Sequence, residues 1–156
     1  MVTNLDRAGI DAYVAQPGVA LLNWHSDREA MSVVFDAGFE NVSARHPDVH
    51  FAGVEVTEDP GLAASWGVPG APELMAYRDG TLVFVCAGAL PEAVLEVLID
   101  AIWALDMEQV RKGIDGQGTR LVLSMQPTRA LPFELEGGGG GEGPGGARGG
   151  GKPVTN

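Results

Sequence analysis

Cys86 is the only cysteine in the 156-residue chain. A disulfide within the chain is therefore excluded, and any thiol chemistry would need a sulfur supplied by glutathione or by a partner protein. The sequence places no cationic neighbour and no helix N-terminus beside Cys86, so nothing indicates a lowered pKa for this thiol. We interpret Cys86 as a small strand residue that packs like alanine or valine, and keep a reactive monothiol as the alternative.

A second group of reactive side chains lies in the stretch NWHSDREAM, residues Asn23–Met31. His25, Asp27 and Glu29 could form an acid/base set or a metal site. The other histidines lie at the far end of the next helix and strand, so further metal ligands are missing and we expect no metal site. We expect Ser26 or Asp27 to cap the following helix, Glu29 to favour the helix dipole, and His25 to be a solvated loop residue.

Composition limits the classes of function. The chain is 45% hydrophobic, which is enough for one packed domain, and its net charge is −11. That charge argues against nucleic acid and anionic membranes as partners, because both attract clustered Lys and Arg. The N-terminus does not resemble a secretory signal, so we expect a cytoplasmic protein. No motif indicates a cofactor.

Hydrophobic periodicity and turn signals predict the order α-β-α-β-α-β-β-α. A crossover helix joins the first two strands, so these should be parallel. Asp79-Gly80 predicts a hairpin between the last two, which should be antiparallel. The predicted elements are helix 5–15, strand 19–23, helix 27–45, strand 49–56, helix 59–66, strands 73–77 and 81–87, and helix 91–112.

The C-terminus divides into two further segments. From Gly137 to Gly151, 11 of 15 residues are glycine, and such a segment cannot bury enough surface to offset its chain entropy. We therefore expect a folded domain over residues 1–112, a C-terminal extension over 113–136 that packs on the last helix, and a disordered Gly-rich tail over 137–156.

The last predicted helix has two apolar faces. The second face consists of Ile99, Trp103, Met107 and Val110. A helix that is apolar on two sides needs a second partner. We expect residues 119–133 of the extension to cover Trp103. A homodimer through this helix is the alternative cover, and residues 121–125 could instead pair at a sheet edge.

The element order and several motifs resemble thioredoxins. Trp24 stands where that family has the Trp after its central strand. The segment DPGLAASWGVPGAPELMAYRDG, Asp59–Gly80, resembles the family's segment around its cis-proline, with Ala71-Pro72 at the Ile-cis-Pro position. Gly88-Ala89-Leu90 resembles the V-G-A-L that precedes its last helix. The resemblance covers residues 5–110 and implies an α/β fold, a thioredoxin-like mixed β-sheet flanked by helices.

The same resemblance shows where the redox residues are missing. The two cysteines of the family's W-C-G-P-C corner fall on Arg28 and Met31. The family's buried carboxylate falls on Leu22, and its partner lysine falls on Gly53. Arginine is not a nucleophile and methionine forms no disulfide, so two-cysteine exchange is excluded for this chain.

What remains of the family's machinery is a peptide-binding groove. The resemblance implies a cis Ala71–Pro72 bond and a redox-inactive protein that binds another protein or a peptide segment. Such a protein could act as an assembly chaperone or adaptor, similar to accessory proteins of nickel–iron hydrogenase maturation that also lack the paired cysteines. The alternative is a monothiol oxidoreductase that uses Cys86. The expected groove residues are Trp24, Asp27, Arg28, Met31, Ala71, Pro72 and Gly88.

Overall fold

The computed structural model of the chain describes residues 1–117 and the pair Leu123–Ser124. Five of its helices and six strands lie in this part of the chain. Most of the extension over 113–136 and all of the Gly-rich tail lie outside the described residues. In chain order the elements are β1 (Thr3–Asn4), α1 (Ile10–Val14), β2 (Val19–His25), α2 (Ala30–Arg45), β3 (His50–Glu55), α3 (Pro60–Ser65), β4 (Glu73–Arg78), β5 (Thr81–Ala87), α4 (Glu92–Trp103), α5 (Met107–Gln117) and β6 (Leu123–Ser124).

The described strands form one mixed sheet in the order β1-β3-β2-β4-β5-β6. β2 pairs parallel with β3, and α2 is the crossover between them. β4 pairs antiparallel with β2 and with β5. Asp79 and Gly80 form the hairpin turn with φ of 50° and 82°, a conformation that Gly and Asp tolerate. The predicted parallel pair and the predicted hairpin are both confirmed.

Helices cover both faces of the sheet and enclose two apolar cores. One core joins the sheet to α2 and α4 and contains four phenylalanines, Phe35, Phe39, Phe51 and Phe84. The rings of Phe39 and Phe51 pack edge to face, with 5.1 Å between their centroids. The other lies under α1 and α3 and contains Leu22 and Trp24. The predicted α/β class, a mixed β-sheet flanked by helices, is confirmed. Within the described residues no helix is long and apolar enough to cross a membrane.

The single long helix predicted over 91–112 is wrong, because the chain forms two helices. α4 ends at Trp103, and α5 begins at Met107 and continues to Gln117, past the predicted stop at Gly113. The Asp106 carboxylate accepts hydrogen bonds from the backbone N–H of Glu108 at 3.0 Å and of Gln109 at 3.3 Å. The first backbone N–H groups of a helix have no partner within the helix, and Asp106 accepts hydrogen bonds from two of them at the start of α5. This cap favours a second helix over one continuous helix.

The break also changes the second apolar face. Ile99 and Met107 are buried in the same core as the first face, and Val110 packs against that core. Trp103 remains 37% exposed, and the Arg78 guanidinium lies over its ring at 5.0 Å. The predicted cover from residues 119–133 lies outside the described residues, except for Leu123–Ser124. That pair forms β6, which pairs parallel with β5. For these two residues, the alternative prediction of pairing at a sheet edge is confirmed.

Candidate functional site

Two serine hydroxyls accept backbone hydrogen bonds within the turn between β2 and α2. Ser32 Oγ accepts a hydrogen bond from the Ser26 N–H at 2.8 Å, and Ser26 Oγ accepts one from the Arg28 N–H at 3.1 Å. Glu29 occupies the N-cap of α2 and makes no side-chain capping bond. The prediction that Ser26 or Asp27 caps this helix is therefore wrong. The Ser26 hydroxyl is used within the turn, and the helix begins later than predicted.

The two residues that the sequence resemblance aligns with the family's cysteines lie at the surface. Arg28 is exposed in the turn, and Met31, in the first turn of α2, is 59% exposed. Asp27 is also exposed, and its backbone N–H donates to Glu55 Oε2 at 3.1 Å. The corner is thus accessible to a partner but contains no nucleophile that could attack a disulfide.

Two loops expected to line a groove are joined to each other. The Gly88 N–H donates a hydrogen bond to the Pro72 carbonyl at 2.9 Å. Gly88 has φ of 105°, which a residue with a side chain rarely adopts. The Ala71–Pro72 peptide bond is cis, as the family resemblance implied. The structure therefore brings Ala71, Pro72 and Gly88 together, although the Pro72 ring itself is buried.

An apolar groove lies between the first half of α2 and the loop that leads into α4. Its volume is about 410 Å³. Val34, which is 66% exposed, and Met31 supply its most accessible apolar surface. We call it the α2–α4 groove; it is lined by Met31, Val34, Phe35, Ala37, Gly38, Asn41, Ala89, Leu90, Pro91 and Glu92. Sequence reasoning found Met31 but missed Val34, because helical spacing alone did not show which side of α2 faces the loop.

Trp24 was expected to line the groove, but its side chain is fully buried. It packs in the core under α1 and α3, with its ring 5.9 Å from that of Trp66. Trp24 follows the inward-facing Leu22 by two residues along β2, so both side chains point to the same face of the sheet. Trp24 therefore shapes the site only by supporting β2, and its assignment as a groove contact is wrong.

Cys86 lies in β5 and is 2% exposed. Its Sγ donates to the neighbouring Ala87 carbonyl at 3.6 Å. Burial raises the pKa of the thiol, and the negative charge of Glu73 raises it further. A high pKa and a buried sulfur both oppose formation of an accessible thiolate, so Cys86 has the properties of a core residue.

Glu73, directly after Pro72, is a buried carboxyl group that the sequence analysis did not single out. The residue is 6% exposed, and none of the described residues donates a hydrogen bond to Oε2. Burial raises the pKa of Glu73 because the ionised form is poorly solvated there. The sequence does not indicate that Glu73 is buried, because a glutamate directly after a proline and before an apolar run predicts only the start of a strand.

His25 does not behave as a solvated loop residue, and that expectation is wrong. It is the last residue of β2, and its Nδ1 lies 3.2 Å from Asp36 Oδ2 and 3.8 Å from Glu55 Oε2. The acids expected beside it, Asp27 and Glu29, are exposed elsewhere in the turn. The register of β2 with β3 places His25 opposite Glu55, a long-range pairing that local spacing does not reveal.

The Glu55 carboxylate accepts several hydrogen bonds that hold it in place. Burial would raise the pKa of its carboxyl, but hydrogen bonds from the Thr57 hydroxyl and backbone and from the Asp27 backbone lower it below the usual value. The side chain therefore remains ionised beside His25. In the described part of the chain, no three His, Cys, Asp or Glu side chains are arranged to hold a metal ion.

No family model matches the chain, whereas individual proteins and solved structures do. A Streptomyces coelicolor protein named "Putative thioredoxin 2" is 31% identical over 113 residues, which are 72% of this chain and 84% of that protein. A structure from a study of thiol resolution in a yeast mitochondrial 1-Cys peroxiredoxin by glutathione/thioredoxin systems has a TM-score of 0.57 at 22% identity, covering 64% of this chain and 94% of the other. Plasmodium falciparum thioredoxin has a TM-score of 0.58 at 19% identity, covering 64% and 98%.

Proposed function

Because the chain belongs to the thioredoxin family, we propose that it uses the family's fold to bind exposed segments of other proteins without exchanging disulfides. The α2–α4 groove is the proposed binding surface, together with Arg28 and the loops at Ala71-Pro72 and Gly88. Such binding suits an assembly chaperone or an adaptor. The relative's name suggests redox chemistry, but this chain has one cysteine and cannot form the internal dithiol pair.

The exposed apolar surface at the start of α2 carries this proposal. Met31 and Val34 project into a groove whose other wall is the loop before α4. Burying a side chain of this size stabilises a complex by about 1.5–3 kcal/mol, so two such side chains represent a substantial driving force. The groove therefore favours a partner segment with apolar side chains over a charged one.

The monothiol alternative has weaker support. A monothiol mechanism needs the sulfur to reach a second sulfur, and Cys86 is buried in β5 with a raised pKa. The corner exposes Arg28, which the sequence resemblance aligns with the nucleophile of thioredoxins. We therefore propose binding, rather than thiol exchange, as the function.

Peptide binding by surface variants tests the proposal. Full-length protein is applied to an array of 15-residue peptides that vary in apolar content, and binding of the strongest peptides is quantified by fluorescence anisotropy. Val34→Glu places a charge in the groove and is expected to weaken binding by about tenfold, because it removes apolar contact and adds a desolvation cost.

Val97→Glu is the matched control, because Val97 is 67% exposed on α4 and does not line the groove. It should bind peptides as the parent does, and Cys86→Ala should too. Equal losses in the two valine variants would show that the effect is not specific to the groove. Loss of binding in Cys86→Ala, with the fold intact by circular dichroism, would favour the monothiol alternative.

A further inference from the structure

A second cleft lies on the other side of α2, away from the α2–α4 groove. It opens where the carboxyl ends of β1, β2 and β3 meet, and its volume is about 180 Å³. We call it the His25 cleft. Its polar lining consists of Asn4, Asn23, His25, Asp36 and Glu40, with the backbone of Gly53 at its floor.

The side chain of Asn23 presents a buried hydrogen-bond acceptor to the cleft. Asn23 is 2% exposed, and its Nδ2 donates to Asp36 Oδ1 at 2.8 Å. Its Oδ1 has no hydrogen-bond donor among the described residues. A rotated amide would turn the oxygen toward the Asp36 carboxylate, which is repulsive, so the bond to Asp36 fixes the direction of the oxygen. A buried acceptor without a donor is costly, and a ligand N–H would satisfy it.

The charged side chains that line the cleft are acidic, and the N-terminal ammonium of Met1, which precedes the lining residue Val2, donates a hydrogen bond to Ser43 Oγ at 2.9 Å. Asp36 and Glu40 lie one turn apart on α2, and Glu55 lies next to His25 on the neighbouring strand. Like charges at this spacing on a helix repel each other. None of the residues that line the cleft is Lys or Arg. The cleft therefore offers carboxylate and amide oxygens and favours a group that brings positive charge and N–H donors.

Gly53 makes room for this arrangement. A side-chain Cβ on Gly53 would lie 3.1 Å from His25 Nε2, closer than most real contacts of this kind. The absence of a side chain lets the imidazole lie over β3 with Nδ1 directed at Asp36 and Glu55. His25 thus forms one wall of the cleft.

We propose that the His25 cleft binds a small cation with N–H donors, a guanidinium or a primary ammonium group. One N–H would donate to Asn23 Oδ1, and the positive charge would lie between the carboxylates of Asp36 and Glu40. Charge-assisted bonds of this kind are stronger than neutral ones. The source is either a free small cation or the side chain of an arginine or lysine on a partner.

Titration of the full-length protein tests this proposal, followed by NMR of the Asn23 side-chain amide and the His25 ring. Methylguanidinium is the probe, and a saturable shift with a Kd of about 1 mM is expected. Tetramethylammonium has the same charge but no N–H, so it should shift these signals at least about tenfold more weakly. Absence of saturable binding, or equal binding of tetramethylammonium, would overturn the proposal.

Substitutions localise the site. Asp36→Asn and Glu40→Gln should each weaken methylguanidinium binding by about fivefold or more, since each removes one charge from the cleft. Asp100→Asn makes the same charge change on an exposed position of α4 and should leave binding unchanged. Glu40 is exposed, so its variant tests the proposal even if Asp36→Asn is unstable. Unchanged binding in folded Glu40→Gln and Asp36→Asn would refute it.

A blocked arginine distinguishes the two sources. Acetyl-arginine methylamide presents the guanidinium as a protein side chain would. Binding as tight as that of methylguanidinium assigns the cleft to an arginine of a partner. Binding of methylguanidinium alone assigns it to a free small cation, because the opening would then exclude a side chain attached to a backbone.

Discussion

At the scale of single residues, Glu73 shows how burial makes a carboxyl group harder to ionise. Its carboxyl is 6% exposed, burial raises its pKa, and ionisation therefore costs more in the folded than in the unfolded chain. A carboxyl whose folded pKa exceeds its unfolded pKa contributes most stability at low pH. That contribution is lost as the pH rises through the folded pKa.

Glu73→Gln removes this titration. The variant is expected to be more stable than the parent at about pH 7, and its advantage should shrink toward about pH 4, near the ordinary pKa of glutamate. Urea unfolding at both pH values measures the difference. Glu58→Gln, at an exposed position, is the control and should show no comparable advantage at neutral pH. An advantage of Glu73→Gln that is independent of pH would contradict this account of the buried charge.

At the scale of elements, the break between α4 and α5 depends on one cap. Asp106 Oδ1 accepts two backbone hydrogen bonds at the start of α5. Asp106→Ala removes them and is expected to lower the free energy of unfolding by about 1 kcal/mol, as is usual for an N-cap. Asp106→Asn keeps an acceptor and should retain most of that stability. Urea denaturation compares the three proteins, and an unchanged Asp106→Ala would show that the break does not depend on the cap.

The same elements show what the sequence can predict. Asp79-Gly80 specifies its hairpin because local turn chemistry and strand pairing agree. The break after Trp103 was not predicted, because the apolar spacing of a helix continues across it. The signal for a new helix is the single capping residue Asp106. The His25 cleft was not predicted, because it is formed by the register of β2 with β3 and by the packing of α2. These contacts join residues that are far apart in sequence.

At the scale of the whole molecule, the chain has the thioredoxin fold but only one cysteine. Arg28 and Met31, which the sequence resemblance aligns with the family's two cysteines, are both exposed, and Met31 lines the α2–α4 groove. The single thiol is placed in the core instead. With one cysteine, the fold is stable without a disulfide within the chain.

Reduction of insulin disulfides by dithiothreitol tests the central claim most directly, with an ordinary thioredoxin as the positive control. We expect the full-length protein to leave the rate at that of the reagent alone, because the chain contains no thiol pair and its only thiol is buried. Cys86→Ala should give the same rate as the parent. Catalysis by the parent that is lost in Cys86→Ala would contradict the account and identify the protein as a monothiol oxidoreductase.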